Sequence, residues 1–398
     1  MKWEYKTLDQ LGTVSRGKSK HRPRNDPKLF GGKYPFIQTA DVKNADYYIT
    51  KYSDTYNESG LAQSKLWDEG TLCITIAANI ADTGILAFPA CFPDSIMGFV
   101  PFEGVANTRF IKYCFDRLQR DCKQISQGTA QDNLSWEKLS TIKFCIPEYK
   151  EQCRIADILS AYDNLIENNQ KQIKLLEEAA QRLYKEWFVD LHFPGHENTK
   201  IVDGVPEGWS ESTVSEVSAV LRRGISPKYN EKARGIVINQ KCIRQTIVSY
   251  DEARTQEKKY PAELEMMESD IVICSTGAGT LGRVGQIFEA KENVTLDSHV
   301  TLIRANEKIG QQSLFWSLKM KQDYLMNAGK GSTNQLELSR ETIGSCEILI
   351  PERKIAEQVE KNFVAIHNKM KECSMQIARL REARNLLLPK LMSGEVEV

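Results

Sequence analysis

Two basic runs hold the residues best suited to chemistry on a polyanion. Arg16, Lys18, Lys20, Arg22, Arg24 and Lys28 face the single acid Asp26, a local charge of +5; Arg222, Arg223, Lys228, Lys232 and Arg234 face Glu231, a local charge of +4. Lysine and arginine at such spacing neutralise phosphates. Two polar stretches carry a second kind of group. Residues 127–135 (Gln-Gly-Thr-Ala-Gln-Asp-Asn-Leu-Ser) contain Gln131 and Asn133, and residues 330–339 contain Lys330, Thr333, Asn334 and Gln335. Their amides match the bidentate pairing of Asn or Gln with adenine, and they are equally good turn and cap formers.

Other patterns fit catalysis or cofactors less well. Residues 12–19 (Gly-Thr-Val-Ser-Arg-Gly-Lys-Ser) satisfy the P-loop pattern, but a P-loop opens a helix and the following His21-Arg22-Pro23-Arg24-Asn25-Asp26-Pro27 cannot continue one. Gly277-Ala278-Gly279-Thr280-Leu281-Gly282 has dinucleotide-binding spacing after an apolar run, yet the next residues read as strand, so a tight turn is expected. Asp251, Glu257 and Lys259 have the spacing of a metal-dependent nuclease, a spacing that arises by chance when 27% of residues are charged. His192 and His196 lie four apart in a Pro-Gly segment, without the helix that would make them zinc ligands. None of the ten cysteines forms a Cys-x-x-Cys pair, so reduced, mostly buried thiols are expected and no metal or cofactor.

The chain has 398 residues, 41% of them hydrophobic, room for two or three domains with real cores. Net charge is zero, with 53 basic and 53 acidic residues, so any affinity for nucleic acid resides in the local runs. There is no run of 18 apolar residues and no signal-like start, which predicts a cytoplasmic protein without a membrane contact.

What positions the basic runs is a doubling. Ile146-Pro147-Glu148 and Ile350-Pro351-Glu352 each introduce a long helical stretch, 204 residues apart. In the first, Leu159, Tyr162, Ile166, Asn169, Ile173, Leu176, Ala180, Leu183 and Trp187 alternate in steps of three and four; the same offset gives Phe363, Ile366, Met370, Cys373, Ile377, Leu380, Arg384, Leu387 and Leu391. This is a coiled-coil seam, too apolar to leave in water, and each helix is the other's nearest partner. About 36 residues make a rod of roughly 50 Å. Asn169 and Arg384 are polar seam positions of the kind that fix register. The prolines are expected at the helix starts, where a missing donor is harmless.

Ahead of each rod the elements repeat too. Trp3, Leu8, Leu11 and Val14 correspond to Trp209, Val214, Val217 and Val220; strands are expected at residues 34–37, 71–76 and 85–86, and at 235–238, 270–274 and 286–288. Helical segments are expected near residues 115–118 and 314–318. The expected architecture is α+β: a first globular domain (1–146), a central helix (147–190), a linker (191–207), a second domain (208–350) and a distal helix (351–398). Antiparallel packing of the helices would give an internal repeat with an approximate two-fold axis.

The duplicated globular-rod order, the Gly-Thr-Ala-Gln and Gly-Ser-Thr-Asn-Gln loops, Gln152 and Gln358 just inside the rods, and the two tryptophan openings resemble the DNA-specificity subunit of type I restriction-modification enzymes. The likeness spans essentially the whole chain. It implies two target recognition domains that each read half of a bipartite site in double-stranded DNA, rods that set the gap, and no catalysis by this chain. It implies as partners two modification (methyltransferase) subunits and ATP-dependent restriction subunits. Apolar residues off the seam, Leu175, Tyr184 and Phe188, are the expected docking positions for the methyltransferase. Two departures bear on local geometry: Glu357-Gln358 lies two residues later than the offset from Glu151-Gln152 requires, and residues 77–82 carry fewer glycines than residues 276–282. A stand-alone nuclease or methyltransferase is the rival class, although the chain has no Pro-Pro of the methyltransferase Asn/Asp-Pro-Pro-aromatic loop. A bivalent coiled-coil scaffold that does not touch DNA would leave the paired basic runs without a purpose.

Overall fold

The computed structural model describes residues 3–76, 82–125, 136–329 and 336–398. It divides into two compact units: Met1–Asn169 with Gln376–Val398, and Gln170–Met375. Neither unit equals one sequence repeat. Each takes a globular domain, the first part of the long helix that follows it, and the last part of the other repeat's long helix.

In the first unit, strand Ile96–Pro101 lies between Gly12–Arg16 and Leu72–Thr75, all antiparallel, and Thr83–Leu86 and Tyr48–Ile49 extend the same sheet. A second sheet runs Asp54–Tyr56, Phe30–Phe36, Ala90–Cys91, Leu66–Trp67. Leu72–Thr75 is buried at every position, as expected of a strand with both faces covered. Helix Thr108–Ile125 brings Phe110, Ile111 and Phe115 into a core with Leu72, Ile74 and Phe99. Ile155, Ala156 and Leu159 of one long helix and Leu388, Leu391 and Met392 of the other complete that core.

The second unit repeats the plan. Val300–Ala305 lies between Ser218–Arg223 and Ile271–Cys274, with Val284–Gln286 outermost, all antiparallel. Gly235–Ile238 is flanked by Arg254–Gln256 and, in parallel, Val294–Leu296. Helix Gln311–Met320 buries Leu314, Phe315, Trp316 and Leu318 against Ile271, Ile303 and the helix residues Ala180, Tyr184, Ile355, Val359 and Phe363. The strands and helices expected from the sequence are therefore present in both domains.

The long helices are Tyr149–Tyr184, followed by a π-helical turn Lys185–Val189, and Arg353–Ser393. Every seam position named above is buried or half-buried. The prolines differ from expectation: Pro147 and Pro351 sit outside the helices, and the carbonyls of Glu148 and Glu352 accept the first helical bonds, from Gln152 and Ala356. The restriction that proline imposes on the residue before it keeps Ile146 and Ile350 extended in their strands.

Within the first unit the helices run antiparallel. Arg154 Nη1 donates to Val398 O (3.0 Å), and further along Asp163 pairs with Arg384. Within the second, Cys373 Sγ lies 3.5 Å from Gln172 Oε1. The tryptophans explain themselves here. Trp3 packs against the backbone of Gly394, which ends the distal helix in a left-handed conformation (φ +73°), and Trp209 packs on Phe188 and Phe193 where the central helix ends. Each domain is thus closed by the tail of the other repeat's helix.

Polar side chains fasten each domain to the start of its own helix. Gln152, 1% exposed, accepts from Asn107 N (3.0 Å) and donates to Val105 O and Pro147 O (both 3.0 Å). Gln358 is exposed; the matching role falls to Glu360, which accepts from Gln312 N (3.0 Å) and Ser313 N (2.8 Å) at a helix N-terminus, where a carboxylate is favoured. About three turns after Gln152, Asp163 accepts from the Tyr113 hydroxyl (2.5 Å) and pairs with Arg384. Burial raises the Asp163 carboxyl above the usual range, and Arg384 and Tyr113 oppose that shift. The position 204 residues later is His367, whose Nδ1 donates to Gln286 Oε1 (3.1 Å) beside the Phe288 ring; burial pushes its pKa down to about 4 and holds it neutral. Asn169 turns back to Leu165 O of its own helix (2.9 Å), so Arg384 is the polar seam residue that reaches across.

Arg384→Met strands the Asp163 carboxyl in the core and is expected to lower stability by about 3 kcal/mol in urea denaturation, whereas adding Asp163→Leu recovers most of that loss. Equal losses in the single and double variants would show that the pair does not hold the seam.

Candidate nucleic-acid interface

In each domain the edge strand delivers its last arginine to the same place. Arg16 is opposite Met97 and Arg223 is opposite Thr301, positions 204 residues apart. A glycine follows each arginine because the chain then crosses directly over another strand end. A Cβ at Gly17 would lie 2.2 Å from Phe92 O, and one at Gly224 2.0 Å from Leu296 O. Gly17 N donates to Ile96 O (2.9 Å) and Gly224 N to Val300 O (3.0 Å). Both basic runs leave their sheets through this crossing.

The first run is held by backbone and side-chain bonds that leave its cations outward. Ser64 Oγ donates to Lys18 O (2.8 Å), His21 N to Gln63 Oε1 (3.0 Å), and Lys28 N to Asp26 Oδ1 (3.0 Å). The Lys28 amide and His21 hold the Asp26 carboxyl below the usual range. Arg16, Lys18, Lys20, Arg22, Arg24 and Lys28 are all exposed. Arg24 pairs with Asp94 (2.6 Å), with Arg22 at 3.9 Å. Among the described residues, Arg16, Lys18, Lys20 and Lys28 have no acidic partner. Lys65 joins them, its ammonium 3.4 Å from the centre of the Trp67 ring; burial and then the nearby Lys18 push its pKa down. No local pattern marks Lys65, because only the long-range contact of residues 63–65 with the basic run places it there.

The second run is corrected by the structure. Its charge of +4 is largely offset: Arg222 pairs with Glu263, Arg223 with Glu337 (2.5 Å), and Lys228 with Glu257. Lys232 remains exposed without an acidic partner among the described residues. Surface pairs of this kind contribute under about 1 kcal/mol, so a phosphate can replace the carboxylate. The Arg254 guanidinium lies over the Tyr229 ring at 3.6 Å, which makes Tyr229 a packing residue.

Gln131, Asn133, Lys330, Thr333, Asn334 and Gln335 lie outside the described residues. In the second domain their flanks are placed. Gly329 packs on Leu281, and on the other side Arg223 Nη2 donates to Leu338 O (2.7 Å) while Glu337 bridges to Thr276. Gly329 is thus placed at the glycine turn, and Glu337 and Leu338 at the basic strand end. That turn has φ of +103°, +74° and +75° at Gly277, Gly279 and Gly282 and continues into strand Val284–Gln286, so it is a tight turn. The P-loop pattern falls on strand Gly12–Arg16 and the irregular chain after it, with no helix to follow.

Among the described residues no three His, Cys, Asp or Glu side chains group as metal ligands. Glu257 is held by Lys228 and Asn230, and His196 Nδ1 donates to Phe193 O (2.9 Å) with the His192 ring 5.1 Å away. The described cysteines are free and mostly buried. No described helix is long and apolar enough to cross a membrane. Of the expected docking residues, Leu175 is 63% exposed, but Tyr184 is buried and stacks on Phe188 (4.7 Å), which packs on Trp209. Both belong to the second domain's core, because the end of the central helix closes that domain.

The family model for the type I restriction modification DNA specificity domain matches residues 1–178 and 206–372, one match per repeat. The chain is 26% identical to the type I restriction enzyme MjaIX specificity subunit of Methanocaldococcus jannaschii, over 100% of this chain and 94% of that protein. It is 24% identical to the HindI specificity subunit of Haemophilus influenzae, over 66% and 71%. Its fold is similar to that of the crystal structure of the type I restriction-modification S subunit from M. genitalium, with a TM-score of 0.58 and 17% identity over 98% and 96% of the two chains. Two matches in tandem, each taking in one globular domain and part of the rod behind it, place this chain in the type I restriction-modification DNA specificity family.

Proposed function

We propose that this chain is the non-catalytic reader of a type I restriction-modification complex: each domain binds one half of a bipartite DNA site, and the paired helices hold the gap. The observation that carries this is the exit of a basic run from the equivalent strand end of both domains, at Arg16-Gly17 and Arg223-Gly224. Lys18, Lys20, Lys28 and Lys232 contact phosphates, and the amides of Gln131, Asn133, Asn334 and Gln335, with Lys330 and Thr333, face base edges. Half-sites about one helical turn apart, roughly 34 Å, suit two major-groove readers on one face of the duplex.

Chemistry then belongs to partners. Two methyltransferase subunits dock on the exposed apolar positions of the long helices, Ile158, Leu165 and Leu386 in one unit and Leu175 in the other. ATP-dependent restriction subunits join that assembly in the cytoplasm.

Lys18→Ala with Lys20→Ala is expected to weaken binding to every duplex alike and to reduce the slope of log affinity against log salt by about 2, with the selected sequence unchanged. Arg222→Ala, whose charge Glu263 already offsets, is expected to change the slope less. Titration at several salt concentrations checks both.

Inserting four residues after Asn169 and four after Met375 lengthens both helices by about 6 Å, close to two base-pair steps. Sequencing of methylated sites is expected to show the same half-sites with a wider gap. New half-sites at the old gap would refute the ruler.

A further inference from the structure

Beside the second basic strand end is a hydrogen-bonded row that the sequence patterns did not single out. Thr276 Oγ1 lies 2.7 Å from His299 Nδ1 and accepts from Gln240 Nε2 (2.8 Å), which also donates to Thr276 O (2.8 Å). The turn that carries His299 is fixed: Asp297 Oδ1 accepts from His299 N (2.9 Å), His299 O accepts from Ser275 N (2.8 Å), and the next residue, Val300, receives Gly224 N (3.0 Å). The His299 ring is exposed, and its Nε2 has no partner among the described residues.

The Thr276 hydroxyl has one hydrogen, and among the described residues its available acceptor is His299 Nδ1. With that hydroxyl donating to Nδ1, the neutral ring carries its proton on Nε2 and turns an N–H outward. An oriented donor next to a cationic strand end, with no internal partner, is the equipment for reading an acceptor on a base edge.

The first domain has the same backbone with other side chains. Ile76 N donates to Ser95 O (3.1 Å) as Ser275 N does to His299 O, and Ile96 O receives Gly17 N as Val300 O receives Gly224 N. The residue at the place of His299 is Ser95. A shared frame with different polar groups at one spot is what two readers of unlike half-sites require.

We propose that His299, oriented by Thr276 and Gln240, is a sequence-reading residue of the second domain, donating from Nε2 to the major-groove acceptors of a purine, N7 or the O6 of guanine. This rests on the DNA-reading function above. The test is selection from a randomised duplex DNA pool by the full chain, alone and with its modification subunit, followed by sequencing. Wild type is expected to select a bipartite site; failure to do so in both settings overturns the reading function itself. With wild type selecting such a site, His299→Ala is expected to lose purine preference roughly ten-fold at one position of one half-site, leaving the gap and the other half-site intact. Thr276→Val, which frees the ring, is expected to weaken preference at that same position. Unchanged preference at every position in His299→Ala, or a loss spread over both half-sites, overturns the proposal.

Discussion

The structure depends on an apolar seam that neither long helix can leave in water. Because each helix needs the other over most of its length, the end of each reaches the domain of the opposite repeat. Trp3 meets Gly394 and Trp209 meets Phe188 as a direct result. A domain so placed is packed against its own helix start and the other helix's tail, and both helices enter its core. Hydrophobic burial supplies most of this attachment, and buried polar groups give it a register. Asp163 and His367, 204 residues apart, occupy the same turn of their helices and tie them to Tyr113 and to Gln286. One is a carboxyl under tension between burial and a guanidinium; the other is an imidazole kept neutral by burial. Each choice penalises a slipped seam, since slippage would leave a buried polar group unpaired.

On this support the two faces proposed for DNA are built alike and charged differently. The first domain shows several cations free of carboxylates, and the second holds most of its own in surface pairs. Electrostatic attraction is therefore strongest at the first domain, while the second presents the more ordered hydrogen-bonding surface around Arg223, Thr276 and His299. A zero net charge is compatible with this, because screening confines each patch to about 10 Å at ordinary salt. Under the proposed function, sequence reading falls to a few oriented side chains, with the phosphates providing affinity that ignores sequence.

Much of this is legible in the sequence, for physical reasons. Seam periodicity, strand runs and glycine turns are local signals, and the fixed offset let each repeat check the other. The less legible parts are contacts between residues far apart in the chain. Glu257, Glu263 and Glu337 lie well beyond the basic run they neutralise, so a count of nearby charges overstates it. Tyr184 and Phe188 read as exposed off-seam positions because nothing local announces that a second domain closes on that end of the rod. Gln358 matched a motif by type, while Glu360, two residues later, makes the contact. Lys65 was silent for the same reason: tertiary packing alone brings it beside Lys18.

The central claim is that recognition is modular, with one domain for each half of the target and helices that only set their separation. The most direct measurement replaces residues 1–146 with the corresponding domain of a relative that reads a different site and determines the target of the hybrid. The account predicts that one half-site changes to the donor's while the other half-site and the gap stay as they were. A hybrid whose two half-sites both change, or whose gap shifts with the donor domain, would contradict it.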